Sequence, residues 1–342
     1  SSAWSPEPGS QEPGAGWRYS VGAMKHTTLA LVALLLTAPV MAQRPSDPAL
    51  LVPQDAPALD YVPAPSAVTL PDGITMGPTA AVGFDAGGHL WVLTRGPVAF
   101  FEFDQKGAYV RSFGEGLFTR AHGLRIDREG NLWAGDVGAH TVRKFGRDGQ
   151  VLLTIGTKGD AGEWNEAAGS RRLNQPNDVA VADNGDIFIV QGHTPGPRGD
   201  ARVLKFDKTG RLLAQWGGKG TAPGQFEVAH GIAIDAGGLL WVADRENQRI
   251  QVFDQNGKFV REMKYAGLPC AMDIGRQYVY MVNGFAGQVL RMDLDGKVLA
   301  AAGRPGKGPG EFGEAHFIAV SPAQEIFVAD SVNGALVKFV KR

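Results

Sequence analysis

The sequence reads as an all-β chain, a six-bladed β-propeller closed by an N-terminal strand. A unit recurs six times: an apolar strand, a D-x-x-G turn, a second strand of the type LWVAD, a third ending in F-D-x-x-G, and a fourth ending near W/F-G. Inside each unit apolar and polar residues alternate with a period of two, as antiparallel strands joined by tight hairpins require. Copies of roughly 40 to 55 residues match one four-stranded blade each. Closing six blades into a ring leaves few exposed sheet edges.

The copies run in order. VGFDAGGHLWVLT with FFEFDQKGAYVRSFG is followed by HGLRIDREGNLWAGD with VRKFGRDGQVLLTIG, then NDVAVADNGDIFIVQ with VLKFDKTGRLLAQWG. HGIAIDAGGLLWVAD with IQVFDQNGKFV comes next, then AMDIGRQYVYMVN with VLRMDLDGKVLAAAG, and last HFIAVSPAQEIFVAD with ALVKFVKR. Paired positions such as Asp85 and Gly88, or Asp235 and Gly238, are turn formers. Trp91, Trp133, Phe188, Trp241 and Phe327 share one phase and are expected to pack the blades. Because the last copy stops at Arg342 after its third strand, the segment around Tyr61 to Leu70 is expected to supply the missing outer strand.

Composition narrows the partners. The 342 residues carry a formal net charge of -1 and no basic run, so the electrostatic footprint of nucleic-acid or anionic-membrane binding is missing. A small-molecule or peptide substrate remains, with a monomer as the expected state. From Met24, MKHTTLALVALLLTAPVMAQ reads as a secretory signal peptide over 24–42, too short to span a bilayer comfortably. Residues 1–23 read as upstream or disordered lead, 43–75 as an N-terminal segment with the closing strand, and 76–342 as the propeller. The mature protein is thus expected to be exported, periplasmic or secreted, without stable membrane insertion. Its single cysteine, Cys270, has no partner for an intrachain disulfide.

Counting back eleven residues from the second-strand aromatic reaches His122 from Trp133, His230 from Trp241 and His316 from Phe327. The same step reaches Ala80, Asn177 and about Pro269 in the other three copies. Histidine therefore occupies this position in copies two, four and six, whose blades are related by about a third of a turn. Three imidazoles would converge on the axis and leave one side open, which suits zinc or another divalent metal with three protein ligands. His26, His89 and His140 lack this relation.

Residues just after each second strand lie around the same opening: Thr94 and Arg95, Asp136, Gln191 to His193, Asp244 and Arg245, Asn283, and Asp330. Arg95, in the apolar loop TRGPVAF, is the candidate clamp for a substrate carboxylate. Asp136, Asp244 and Asp330 are rim or supporting candidates, while ADREN gives Arg245 the alternative of a local salt-bridged turn.

These runs resemble the NHL-repeat propellers, and within them the peptidyl-alpha-hydroxyglycine alpha-amidating lyase family. The resemblance covers roughly Ala80 to Arg342 and is densest in GQFEVAHGIAI and LWVADRENQRIQVFDQNGKFVRE, with AHGLRIDREGNLWAGDV, LNQPNDVAV, EAHFIAV and IFVADS. It implies zinc ligands at His122, His230 and His316, a substrate-engaging arginine at Arg95, and cleavage of an alpha-hydroxyglycine N–C bond to an amide and glyoxylate. Where the family carries a tyrosine near the zinc, this chain has His193, a candidate general base or fourth ligand. Phe317 stands where the family has an aspartate for a structural calcium, which puts calcium in doubt. Glu314 replaces a methionine and is expected to orient a metal-binding histidine. Two other functions stay open: a metal-dependent hydrolase such as a lactonase, or another lyase, on the same scaffold; and a non-enzymatic propeller binding peptide, glycan or protein.

Overall fold

A computed structural model describes residues 44–195 and 200–342 of the chain. The expected lead and signal peptide, 1–23 and 24–42, lie outside the described residues. Among those described, three short 3-10 turns interrupt an otherwise all-β structure, and no helix is long and apolar enough to cross a membrane.

Six four-stranded antiparallel sheets form the blades. Their first strands are Thr79–Phe84, Ala121–Ile126, Pro176–Val181, Ala229–Ile234, Pro269–Ile274 and Ala315–Val320, each packed against the next, and the last against the first. The ring is therefore closed, with the innermost strand of every blade beside the axis. Second strands are buried on both faces, as in Leu240–Asp244, whereas outer strands such as Leu212–Gly217 alternate between half-buried and exposed residues. That gradient explains why the LWVAD-type runs read as continuous core.

The turn aspartates are structural, as their repetition suggests. Asp127 accepts the Asn131 amide at 2.8 Å and the Trp133 indole N–H at 2.9 Å. Asp235 does the same for Leu239 and Trp241, at 2.9 Å each. Each carboxylate closes the tight turn and also satisfies the polar edge of a blade-packing tryptophan.

Closure follows the expected route with a shorter strand. Tyr61–Pro63 pairs with Phe339, Val340 and Lys341 at the outer edge of blade six. Ala64 still donates its amide to Lys338 O at 2.8 Å, and Pro65 then brings no amide N–H to continue the ladder. The chain on either side clamps the neighbouring blades: Leu59 and Ala301 bond through main-chain atoms at 2.7 Å, and Thr69 bridges to Ala108.

Candidate metal centre

Each first strand carries a register shift near its start, between Ala121 and Leu124, Ala229 and Gly231, and Ala315 and Phe317 in blades two, four and six. A bulge frees the extra residue from the ladder and re-aims its side chain. His122, His230 and His316 occupy these positions, all buried, and their ring centroids lie 4.6 to 5.1 Å apart. One ligand nitrogen from each falls within 4.8 Å of the others.

The same shift falls at Thr79/Ala81, Pro176/Asp178 and Pro269/Ala271 in the odd-numbered blades. The residues equivalent to the histidines are thus Ala80, Asn177 and Cys270. Cys270 corrects the expectation of Pro269: in blade five the turn after the first strand is one residue shorter, so a count from Tyr280 lands one place early. These three residues supply main-chain carbonyls. His122 Nδ1 meets Asn177 O at 2.8 Å, His230 Nδ1 meets Cys270 O at 3.0 Å, and His316 Nδ1 meets Ala80 O at 2.8 Å.

A carbonyl only accepts, so every Nδ1 must carry the proton and every Nε2 must present a lone pair. His122 Nε2 and His316 Nε2 face one another at 3.2 Å, and His230 Nε2 is buried with no partner. Two lone pairs at that distance repel unless a cation or proton lies between them. Tetrahedral zinc with bonds of about 2.0–2.1 Å would separate its nitrogens by ~3.3 Å, so the donor set fits. Burial drives all three pKa values well below 6.5, helped by mutual repulsion at His122, by Arg245 at His230 and by Arg95 at His316. The rings are neutral, which is the state that binds metal.

Close approach of the blades depends on glycine. A Cβ on Gly231 would meet Cys270 O at 2.4 Å, and one on Gly123 would meet Asn177 O at 2.6 Å. The A-H-G sequence therefore seats the imidazole and lets its ring reach the neighbouring carbonyl. Blade six carries Phe317 in the glycine's place. Its buried ring packs on His316, His122 and His230 at 4.9, 5.6 and 6.0 Å. The Arg125 guanidinium lies 5.8 Å from this ring and pairs with buried Asp178 at 2.6 Å.

His193 is half-buried, its ring edge-on to His122 at 4.8 Å and 5.9 Å from His230. Gln175, in the left-handed region, accepts the Thr194 amide and hydroxyl at 3.0 and 2.7 Å and so fixes the residue after it. Burial lowers the His193 pKa well below 6.5, reinforced by Arg245, Arg120, His316 and Arg95. Arg95 donates from Nε to Ala121 O at 3.1 Å, beside His122. Burial and then Arg120 bring its pKa down to about 10, against the pull of Glu314.

Arg245 combines both readings. It pairs with Glu246 at 2.7 Å, as a local turn would, yet it is buried and acts electrostatically on His193 and His230. Arg120 was not singled out by the sequence reading, although it stands two residues before His122 as Glu314 stands two before His316. That shared offset was the available signal.

Asp136, Asp244 and Asp330 are fully buried instead of lining a rim. Each holds the chain leading into a histidine: Asp136 takes the amides of Thr119 and Arg120 at 2.9 and 2.8 Å, Asp244 that of Glu227 at 2.9 Å, and Asp330 those of Gly313 and Glu314 at 2.8 and 3.1 Å. Glu314 requires a correction. Main-chain carbonyls already occupy all three Nδ1 atoms, so Glu314 orients no histidine; it accepts the Ser331 hydroxyl and lies 3.6 Å from Arg245.

The NHL repeat family matches residues 226–253, the strand carrying His230 and the hairpin after it. A probable peptidyl-alpha-hydroxyglycine alpha-amidating lyase of Caenorhabditis elegans is 35% identical over 195 residues, 55% of this chain and 52% of its own length. Human NHL repeat-containing protein 3 is 33% identical over 157 residues, 42% of this chain and 44% of its own. The chain thus spans about half the length of these curated relatives. A gluconolactonase structure from Xanthomonas campestris superposes with a TM-score of 0.59 at 19% identity, over 84% of this chain and 99% of that one, which is a likeness of fold. The chain is a six-bladed propeller that carries an NHL repeat over residues 226–253 and resembles the peptidyl-alpha-hydroxyglycine alpha-amidating lyases.

Proposed function

We propose that the protein is an exported zinc-dependent lyase that cleaves the N–C bond of a peptidyl-alpha-hydroxyglycine-like substrate, giving an amide and glyoxylate. The observation that carries this reading is the trio of Nδ1-to-carbonyl hydrogen bonds, which leaves three neutral Nε2 atoms for one ion. The similarity to named amidating lyases supplies the reaction class. Export rests on the sequence pattern of residues 24–42.

His122, His230 and His316 would hold the metal, and bound zinc would supply Lewis acidity. Arg95 holds the substrate carboxylate, its guanidinium anchored on Ala121 O beside His122. A ring nitrogen of neutral His193 takes the substrate's hydroxyl proton. As the carbonyl of glyoxylate forms, the C–N bond breaks with its electron pair going to nitrogen, and the proton held by His193 passes to that nitrogen to give the amide. Atoms balance without added water or oxidant. Burial of His122, His230 and His316 limits water at the inner side of the site.

N-benzoyl-alpha-hydroxyglycine tests the reading. Benzamide and glyoxylate are expected in equal amounts above the spontaneous rate, abolished by a chelator and restored by zinc. Replacing Arg95 with alanine is expected to raise KM on the order of ten-fold or more, while His193→Phe is expected to lower kcat by about 10²- to 10⁴-fold. Zinc binding without glyoxylate release, accompanied by lactone hydrolysis, would replace the lyase with a metal-dependent hydrolase.

A further inference from the structure

The buried carboxylate of Glu314 is left with an oxygen that nothing in the mechanism uses. Its Oε2 accepts the Ser331 hydroxyl, but Oε1 has no hydrogen-bond partner although the side chain is only 1% exposed. The nearest cation, Arg245 Nη1, lies 3.6 Å away, beyond hydrogen-bond length. Arg245 is already committed to Glu246 through Nε and Nη2, at 2.9 and 2.7 Å.

The backbone of Glu314 is pinned as well: its amide donates to Asp330 and its carbonyl accepts from Ser331. Its charge acts on Arg95, the group that would hold a substrate anion, and on Arg120. A buried acceptor without a donor is costly, and a pre-positioned one discriminates strongly for a ligand that supplies the donor.

We propose that Glu314 is a specificity-determining residue whose Oε1 selects substrates carrying a hydroxyl or N–H donor beside the carboxylate that Arg95 holds. This rests on the reading of the site as a carboxylate-binding centre. The simpler alternative is that Glu314 only balances the guanidinium charges; that role would affect all carboxylates alike, whereas selection affects only those with a donor.

The test is calorimetric binding of two inert ligands, a 2-hydroxy-2-arylacetate and the matching arylacetate, to zinc-loaded parent, Glu314→Gln and Glu314→Met proteins. Thermal melting checks that each variant folds, with the isosteric glutamine as the safer replacement. Any attraction of the hydroxyl to zinc is common to all three proteins, so the change in the affinity ratio isolates Glu314. The parent is expected to prefer the hydroxylated ligand by at least about ten-fold more than Glu314→Met does, with Glu314→Gln between them. The arylacetate itself is expected to bind Glu314→Met as tightly as the parent or more tightly, since a like-signed charge has been removed from its site.

An unchanged ratio across the three proteins, or equal weakening of both ligands in Glu314→Met, overturns the proposal and leaves the carboxylate reading intact. Failure of either ligand to bind the parent, with Arg95→Ala indistinguishable from it, overturns both.

Discussion

The even-numbered and odd-numbered blades share one backbone plan and divide the work of the centre between them. All six first strands carry the same register shift near the axis. Blades two, four and six place histidines there, whereas blades one, three and five answer with the carbonyls of Ala80, Asn177 and Cys270. The residue closing the second strand also alternates: a buried aspartate in the even blades, and Thr94, Gln191 or Asn283 in the odd ones. Three-fold convergence therefore arises inside a six-fold scaffold: one set of blades supplies imidazoles and the other supplies the carbonyls that hold them, with Asn177 adding an Nδ2–H donated to Ala229 O at 2.7 Å.

Replacing a side chain at the shared position should have opposite consequences in the two sets. His230→Ala is expected to weaken zinc binding by about 10³-fold or more, because it removes a bond and leaves an open two-nitrogen site. Asn177→Ala gives up its Nδ2–H bond to Ala229 O but keeps the carbonyl that holds His122, and is expected to change zinc affinity by less than about ten-fold. Chelator competition measures both, and equal losses would break the division of labour.

Acid provides the next largest effect. In metal-free protein the three buried imidazoles and half-buried His193 stay neutral in the folded state, while an unfolded histidine takes up a proton below pH 6.5. The unfolded state then binds more protons than the native one, so stability is full above that pH and falls below it. Each ring contributes a slope of up to ~1.4 kcal/mol per pH unit. Urea melts from pH 7.5 to 5 are expected to show this decline, and less of it once the even-blade histidines are replaced.

Gly231→Ala asks how tightly blades four and five must meet. Its methyl would lie 2.4 Å from Cys270 O, so a loss of about 1–3 kcal/mol in stability is expected, with zinc affinity falling roughly ten-fold. Ala81→Gly in odd-numbered blade one meets no such limit and is expected to cost about 0.5–1 kcal/mol, with zinc binding retained. A loss of similar size, about 1 kcal/mol in thermal melts, is expected from Asp330→Asn, which keeps the shape but weakens acceptance of the Gly313 and Glu314 amides.

The repeat and the histidine phase were legible because they are properties of side chains at fixed spacing. Turn aspartates, second-strand aromatics and the closing segment followed from the same periodicity. The carbonyl partners were not legible, since every residue carries a carbonyl and only the fold decides which three point at an imidazole. Cys270 was missed by one place because the blade-five turn is shorter. Glu314 was read from its neighbour in sequence, His316, but its position is set by Asp330 and Ser331. Arg120 shares that offset from its histidine and shows that the residue two before the bulge belongs in such a reading.

The central claim is that alternate blades build one three-nitrogen metal site from His122, His230 and His316. Zinc content per chain, measured after zinc loading and removal of free metal, tests it most directly in the parent beside a variant with all three replaced by alanine. One zinc per parent chain and none in the variant is the predicted result. A parent without zinc, or a folded variant that retains as much as the parent, would contradict it.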